Sequence, residues 1–223
     1  MPIAPIVFPP AGQADAHGIV CWTMASAIRA DNLLNAYRSG IFPWPMREDA
    51  PVPWTSPNPR AVLFFDEMHI PRTLRQAWKL TSWTFTVDRA FPVVMQACAG
   101  VPRPGQAGTW IITNMHEGYG ELHRQGHAHS VEVWNGNELV GGLYGVDPGG
   151  LFVGESMFHL ASNASKLALL YLINHLKTRG ATWIDVQQLT PLMRQLGARE
   201  IPRTEYLRML GEEMGKERGL FSC

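Results

Sequence analysis

The stretch that decides the fold runs from Gly126 to Gly180: GHAHSVEVW (126–134), NGN (135–137), ELVGGLYGV (138–146), DPGG (147–150), LFVGESMF (151–158) and NASKLALLYLINHLKT (163–178). His129 to Trp134 alternates Ser130, Glu132 and Trp134 against Val131 and Val133, the period of a strand. Asn135-Gly136 is a hairpin turn signal, which makes Glu138 to Val146 the return strand. Asp147-Pro148-Gly149-Gly150 is a second turn, and Leu151 to Phe158 a third strand. From Asn163 to Thr178 the leucine-rich run places Leu169, Leu172, Ile173 and Leu176 at i, i+3, i+4 and i+7, a helix that Gly180 ends. Thr182 to Gln187 returns to strand. The order is β-β-β-α-β, and a strand–helix–strand crossover favours a parallel pair in an otherwise antiparallel sheet.

That order is the core of a GNAT-like acyltransferase fold: α+β, a mixed sheet flanked by helices. Gly141-Gly142 inside the second strand predicts a bulge or a close backbone approach by a ligand. Upstream, Ala61 to Phe65 and Phe85 to Val87 read as strands. Ile70 to Lys79 reads as a helix with Pro71 at its first position. Asp88 is expected to cap a helix through Ala99. Asn114 and Glu117 have the spacing of a capping box for a helix through Gln125. Before residue 60 only Asp31 to Ser39 looks helical, capped by Asp31 and stopped by Gly40. Prolines 43, 45, 53, 57 and 59 exclude helix and central strand from the next segment. Two tryptophans and a phenylalanine there favour an ordered apolar loop. The division expected is a small Pro/Trp-rich N-terminal domain, 1–60, and a catalytic domain, 61–223.

The chain has 223 residues and zero formal net charge, so no global field favours nucleic acid or membrane. Any nucleic-acid partner needs a local basic patch. Cys21, Cys98 and Cys223 are scattered and odd in number, which fits a reducing cytoplasm. No apolar run approaches the about 18 residues of a spanning helix. The N-terminus lacks the layout of a signal peptide. His123, His127 and His129 lack the spacing of a helix-borne zinc motif, so no metal site is expected.

Glu155 is the residue that composition does not explain. It stands between Gly154 and Ser156 on an apolar strand, and a buried acid needs a partner. A structural salt bridge is one answer; a substrate ammonium, or the basic side chain beside it, is the other. Asp185 and Gln187, two apart on one strand, are expected on one face. Arg72, Arg75 and Lys79 make a stripe on one helix that suits phosphates.

These residues fall within an ordered set of segments. They are Tyr37-Arg38-Ser39-Gly40-Ile41-Phe42-Pro43-Trp44, Ser56-Pro57-Asn58-Pro59-Arg60, His69-Ile70-Pro71-Arg72, Gly108-Thr109-Trp110-Ile111 and Gly126 to Glu132. Gly154-Glu155-Ser156-Met157-Phe158, Asn163-Ala164-Ser165-Lys166, Ile184-Asp185-Val186-Gln187, Leu196-Gly197-Ala198 and Ile201-Pro202-Arg203 follow. The set resembles the leucyl/phenylalanyl-tRNA–protein transferases, bacterial enzymes of the N-end rule. The Gly-Gly-Asp-Leu-type segment usual in that family is replaced by Met24-Ala25-Ser26-Ala27-Ile28-Arg29-Ala30-Asp31.

The resemblance implies transfer of Leu, Phe or Met from aminoacyl-tRNA to the α-amino group of a protein beginning with Arg or Lys, without a cofactor. It implies roles for Asp185 and Gln187 in activating the amine. A neutral amide is not usefully basic, so Asp185 is the better proton acceptor or electrostatic partner, and Gln187 can orient a group or donate to an oxyanion. It also implies that Trp44 and Trp110 sandwich the terminal adenine, that Leu143, Leu169 and Leu172 line the aminoacyl side-chain pocket, and that the Arg72–Arg75–Lys79 stripe meets tRNA. Two other readings compete. One is an N-acyltransferase using another activated donor, but the Arg/Gln-x-x-Gly-x-Gly/Ala loop that holds the pyrophosphate of coenzyme A is missing before the Asn163 helix. The other is an idle tRNA-binding or N-degron-binding protein, against which Glu155, Asp185 and Gln187 all argue.

Overall fold

The computed structural model describes residues 5–101, 111–216 and 218–221. Trp110 and Cys223 therefore lie outside the described residues. Two sheets carry the chain. The smaller is made of β1 (Ile19–Thr23), β2 (Phe42–Pro43) and β3 (Val52–Thr55) in the order β1-β3-β2, with α1 (Ala30–Arg38) between its first two strands. The larger starts with β4 (Arg60–Phe64), then α2 (Arg72–Leu80), β5 (Thr84–Val87), α3 (Phe91–Ala99) and α4 (Thr113–Arg124). Next come β6 (Ala128–Asn135), β7 (Glu138–Val146), β8 (Val153–His159), α5 (Ala164–Lys177) and β9 (Trp183–Gln187). The chain ends with α6 (Pro191–Gln195), β10 (Arg199–Ile201) and α7 (Arg203–Met214). The seven-stranded sheet runs β10-β4-β9-β8-β7-β6-β5.

The central block reads as expected. β6, β7 and β8 form an antiparallel meander, and α5 crosses to β9, which pairs with β8 in parallel. Both faces of the sheet are covered. On one face Val131, Val133, Val140 and Leu143 pack under α5 and α2. On the other, Ala128, Tyr144 and Val146 pack with α1, α3 and α4, and this cluster runs without a break into Phe42, Val52 and Trp54 of the small sheet.

Gly141 and Gly142 do mark a bulge and a close approach, but the approaching group is protein. Val133 faces Gly141 while Trp134 faces Leu139, which leaves Val140 as the extra residue. A Cβ on Gly141 would stand 2.5 Å from the Cβ of Ala164, at the start of α5. The glycines let helix and sheet close on each other.

Several local expectations are corrected. Pro53 lies inside the central strand of the small sheet. Its carbonyl accepts from Trp44 just past the end of the two-residue β2, so the missing N–H falls where there is little strand left to pair with. α1 starts at Ala30 with Arg29 at its cap, placing Asp31 in the first turn, and Pro71 is the cap rather than the first residue of α2. α4 has Ile112 at its cap and no side-chain cap bond, so Asn114 and Glu117 form no capping box. Asp88 does not cap α3. It adopts φ 61° and accepts from the Ser130 N–H and the His129 ring, while Glu132 accepts the Arg89 and Ala90 N–H groups at the helix start. An acid reaching across the sheet thus satisfies donors that a local cap would otherwise serve.

Candidate active site

Strands β8 and β9 pair at one position, Val153 with Asp185, and then part. Into the gap opens a cavity of about 740 Å³. Its apolar wall includes Leu143 from β7, Leu169 and Leu172 from α5, Met157 from β8 and Met193 from α6; Trp44 closes another side. Glu155 and Gln187 supply polar groups. The sequence-predicted pocket leucines are thus together with Trp44, Glu155 and Gln187.

Two bulges aim those polar groups. Tyr144 pairs with Ser156 and Gly145 with Gly154, so Glu155 is the extra residue of β8. On β9, Ala61 pairs with Gln187 and Val62 with Asp185, leaving Val186 extra. Gln187 itself has φ 62°, unusual for a residue with a Cβ. A bulge re-aims a side chain that strict alternation would send elsewhere.

The Glu155 carboxylate is the hub. Its Oε1 accepts from the Tyr37 hydroxyl at 2.6 Å and from Gln187 Nε2 at 2.5 Å; its Oε2 accepts from the Tyr119 hydroxyl at 3.3 Å. The Tyr37 and Tyr119 hydroxyls are 2.5 Å apart. Burial pushes the Glu155 carboxyl up to about 7, with the Asp185 charge adding to the rise. The bonds from Tyr37, Gln187 and Tyr119 favour the ionised form and pull the other way. Burial also holds both tyrosines well above their ordinary value, the negative charge of Glu155 adding to it, so they act as donors, not anions.

Asp185 goes elsewhere. It is fully buried and does not line the cavity. Arg60 Nε lies 3.0 and 3.2 Å from its two oxygens and Nη2 2.6 Å from Oδ2; the Tyr206 hydroxyl donates to Oδ2 at 2.8 Å. Oδ1 also accepts the Gln187 backbone N–H at 2.8 Å. The one-face expectation for Asp185 and Gln187 is therefore not met: one turns to Arg60, the other into the cavity.

Arg72, Arg75 and Lys79 are all exposed on α2 and form no ion pair with another described residue. Arg75 and Lys79 border a second, smaller cleft of about 250 Å³ with Trp78 and Lys177. The histidines have separate duties: His123 meets the Ala128 carbonyl, His127 the Asp147 carbonyl and His129 the Asp88 carboxylate.

Sequence reasoning missed Tyr37, Tyr119, Arg60 and Tyr206. Tyr37 and Arg60 stand inside segments that carry the family resemblance, yet nothing in their spacing says that they bond Glu155 and Asp185. Tyr119 and Tyr206 had no signal beyond being tyrosines on helices.

An apolar chamber with one buried carboxyl on its wall, raised to about 7, can hold an apolar group beside a group that titrates near neutrality. Comparison with known proteins makes this specific. The family model described as "Leucyl/phenylalanyl-tRNA protein transferase" matches residues 62–211, and the model of that family's N-terminal domain matches residues 26–58. The leucyl/phenylalanyl-tRNA–protein transferase of Nitratidesulfovibrio vulgaris (strain DP4) is 45% identical over 204 residues, covering 92% of this chain and 86% of that protein. The one from Shewanella pealeana is 46% identical over 205 residues, covering 91% and 85%. Among solved structures, L-PGS from Bacillus licheniformis aligns with a TM-score of 0.40 and 17% identity over 60% of this chain and 47% of that one, too slight a likeness to bear on fold or function. The chain belongs to the leucyl/phenylalanyl-tRNA–protein transferase family.

Proposed function

We propose that this protein transfers Leu, Phe or Met from aminoacyl-tRNA to the α-amino group of proteins that begin with Arg or Lys, marking them for N-end rule degradation in the cytoplasm. The family membership supports the reaction. The observation that carries the residue assignment is Glu155: one carboxylate, raised to about 7, on the wall of an apolar cavity.

The donor is an ester, so no covalent enzyme intermediate is needed. The acceptor amine nitrogen attacks the ester carbonyl carbon. The C–N bond forms, the bond to the ribose oxygen breaks, the amine gives up a proton and the ribose oxygen gains one. In its ionised form Glu155 is placed to take the amine's proton; its own value near 7 stands close to the α-amino value of about 8. Gln187, fixed at 2.5 Å from that carboxylate, orients it and the amine. Asp185, sealed against Arg60, then acts by positioning Gln187 rather than by taking a proton. Leu143, Leu169 and Leu172 receive the aminoacyl side chain. Trp44 and Trp110 stack on the terminal adenine, and Arg72, Arg75 and Lys79 meet tRNA phosphates.

In this reading residues 61–223 form a GNAT-like catalytic domain and 1–60 a small N-terminal domain. Support comes from the mixed sheet with its parallel β8–β9 pair, and from the two sheets dividing between Thr55 and Arg60. The test is incubation of the protein with labelled Phe-tRNA and a peptide starting with Arg. Label in the peptide, without acyl-CoA, is expected; label that stays on tRNA, or transfer from acyl-CoA alone, overturns the reading.

A further inference from the structure

One guanidinium joins β9 and α7 to the segment that leads into β2. Arg60 opens β4 and is 1% exposed. Besides its fork onto Asp185, it donates from Nη1 to the Gly40 carbonyl at 3.3 Å and from Nη2 to the Tyr206 hydroxyl at 3.2 Å. Its Cζ lies 4.7 Å from the centre of the Phe42 ring and 4.4 Å from that of Tyr206. Phe42 in turn meets Trp44 edge-on at 5.8 Å. Burial works against the charge of Arg60, and the Asp185 carboxylate reverses that, so the group stays a cation.

Stability alone is a poor reason for this arrangement. A buried ion pair is often no better than apolar residues of the same size. What an apolar replacement cannot do is hold the backbone of Gln187. That residue sits in a left-handed conformation that costs energy and persists only when its surroundings fix it. The fixing bond is its own N–H to Asp185 Oδ1, and Asp185 Oδ1 is held by Arg60 Nε. Gln187 Nε2 then reaches Glu155.

We propose that Arg60 is a positioning residue for the transfer reaction. Through Asp185 and Gln187 it sets the orientation and proton affinity of Glu155; through Gly40 and Phe42 it sets the wall that carries Trp44. The inference rests on the transferase reading given above. It adds a residue that touches no substrate and an order of action: Arg60, Asp185, Gln187, Glu155.

Arg60→Lys keeps the charge but loses the planar fork, so one ammonium cannot serve Asp185, Gly40 and Tyr206 at once. Tyr206→Phe removes a single hydroxyl from the same cluster and is the gentler probe. For each variant, three quantities are measured: the thermal midpoint, kcat and KM against pH with Phe-tRNA and an Arg-starting peptide, and the titration of Glu155 by its infrared carboxyl band. The band is assigned by its loss in Glu155→Gln, and it needs no substrate. For Arg60→Lys, kcat is expected to fall on the order of 10²-fold, the scale of a misplacement near 1 Å. The Glu155 midpoint should move up, because a displaced Gln187 no longer favours the carboxylate. Tyr206→Phe should shift both in the same directions by less. If Arg60→Lys does not fold, Tyr206→Phe decides alone. Unmoved Glu155 titration in a folded variant overturns the proposal, as does a kcat loss that cooling fully restores. Wild-type protein that transfers nothing sinks the transferase reading instead, and the infrared titration still decides whether Arg60 governs Glu155.

Discussion

Glu155 makes two predictions at the scale of a single residue. If it takes the amine's proton, kcat should rise with pH along a limb centred near its value of about 7. Glu155→Gln should abolish that limb and lower kcat by about 10²- to 10⁴-fold, the range of general-base catalysis. A limb that survives in the variant would assign the proton to another group. The second prediction concerns stability. The folded-state value lies above the ordinary 4.5 of a glutamate, so the folded protein holds the proton more tightly than the unfolded chain does. The proton's contribution is therefore full below pH about 4.5 and drains away as pH climbs through 7. At about 1.4 kcal/mol per pH unit, the loss amounts to about 3 kcal/mol. Relative to wild type, Glu155→Gln should gain that much between pH 4.5 and 7.5 in denaturant unfolding. A difference that stays flat across the window would mean that Glu155 ionises like an exposed carboxylate. Both predictions concern a residue that was legible in the sequence, because an acid between Gly154 and Ser156 on an apolar strand demands a partner. Its partners were not legible. Tyr37 and Tyr119 come from 118 and 36 residues away in sequence, and no local pattern encodes such a meeting.

At the scale of elements, periodicity was a good guide where one force dominates and a poor one where two compete. The β6–β9 block was readable because alternation, turn residues and helical spacing agree. The helix starts were not, because a side chain from another strand can serve the same N–H groups as a local cap; Glu132 at α3 did so. Gln187 escaped for a related reason. Strand alternation predicts its direction from Asp185, but the extra Val186 and the left-handed φ re-aim it. Helix α2 carries the element-scale prediction. Its three cations are exposed and unpaired with described acids, while the molecule as a whole is neutral. If they meet tRNA phosphates, Arg72→Glu with Arg75→Glu should raise KM for full-length Phe-tRNA. The dependence of binding on salt should also flatten, by a slope of about 1 for each phosphate that the helix no longer neutralises. Use of phenylalanyl-adenosine should stay as it was. Equal damage to both donors would place α2's contribution in folding rather than in tRNA binding.

At the scale of the whole molecule, the two sheets are separate in hydrogen bonding but not in packing. Ile41, Phe42, Val52 and Trp54 of the small sheet region share one continuous cluster with Val62, Phe91, Tyr119 and Tyr144 of the large one. Tyr37, on α1, reaches across to Glu155, and Gly40 reaches Arg60. The candidate site is thus assembled from both parts, which composition alone cannot reveal: a proline-rich stretch looks the same whether it covers a core or links two. The catalytic domain proposed for residues 61–223 should therefore depend on residues 1–60 for its native packing, and a fragment without them should not reach it. It would expose the apolar surface of α4 that α1 covers and leave Glu155 without its 2.6 Å donor. The expected fragment keeps much of its far-ultraviolet circular dichroism, loses near-ultraviolet fine structure and binds ANS, the marks of a loosely packed state. Adding residues 1–60 in trans should restore near-ultraviolet signal and transfer activity together, since the same contacts close the core and complete the cleft. A fragment that unfolds cooperatively and shows no ANS binding would mean that the large sheet needs no help. The N-terminal segment would then act only by supplying Tyr37 and Trp44 to a cleft already formed.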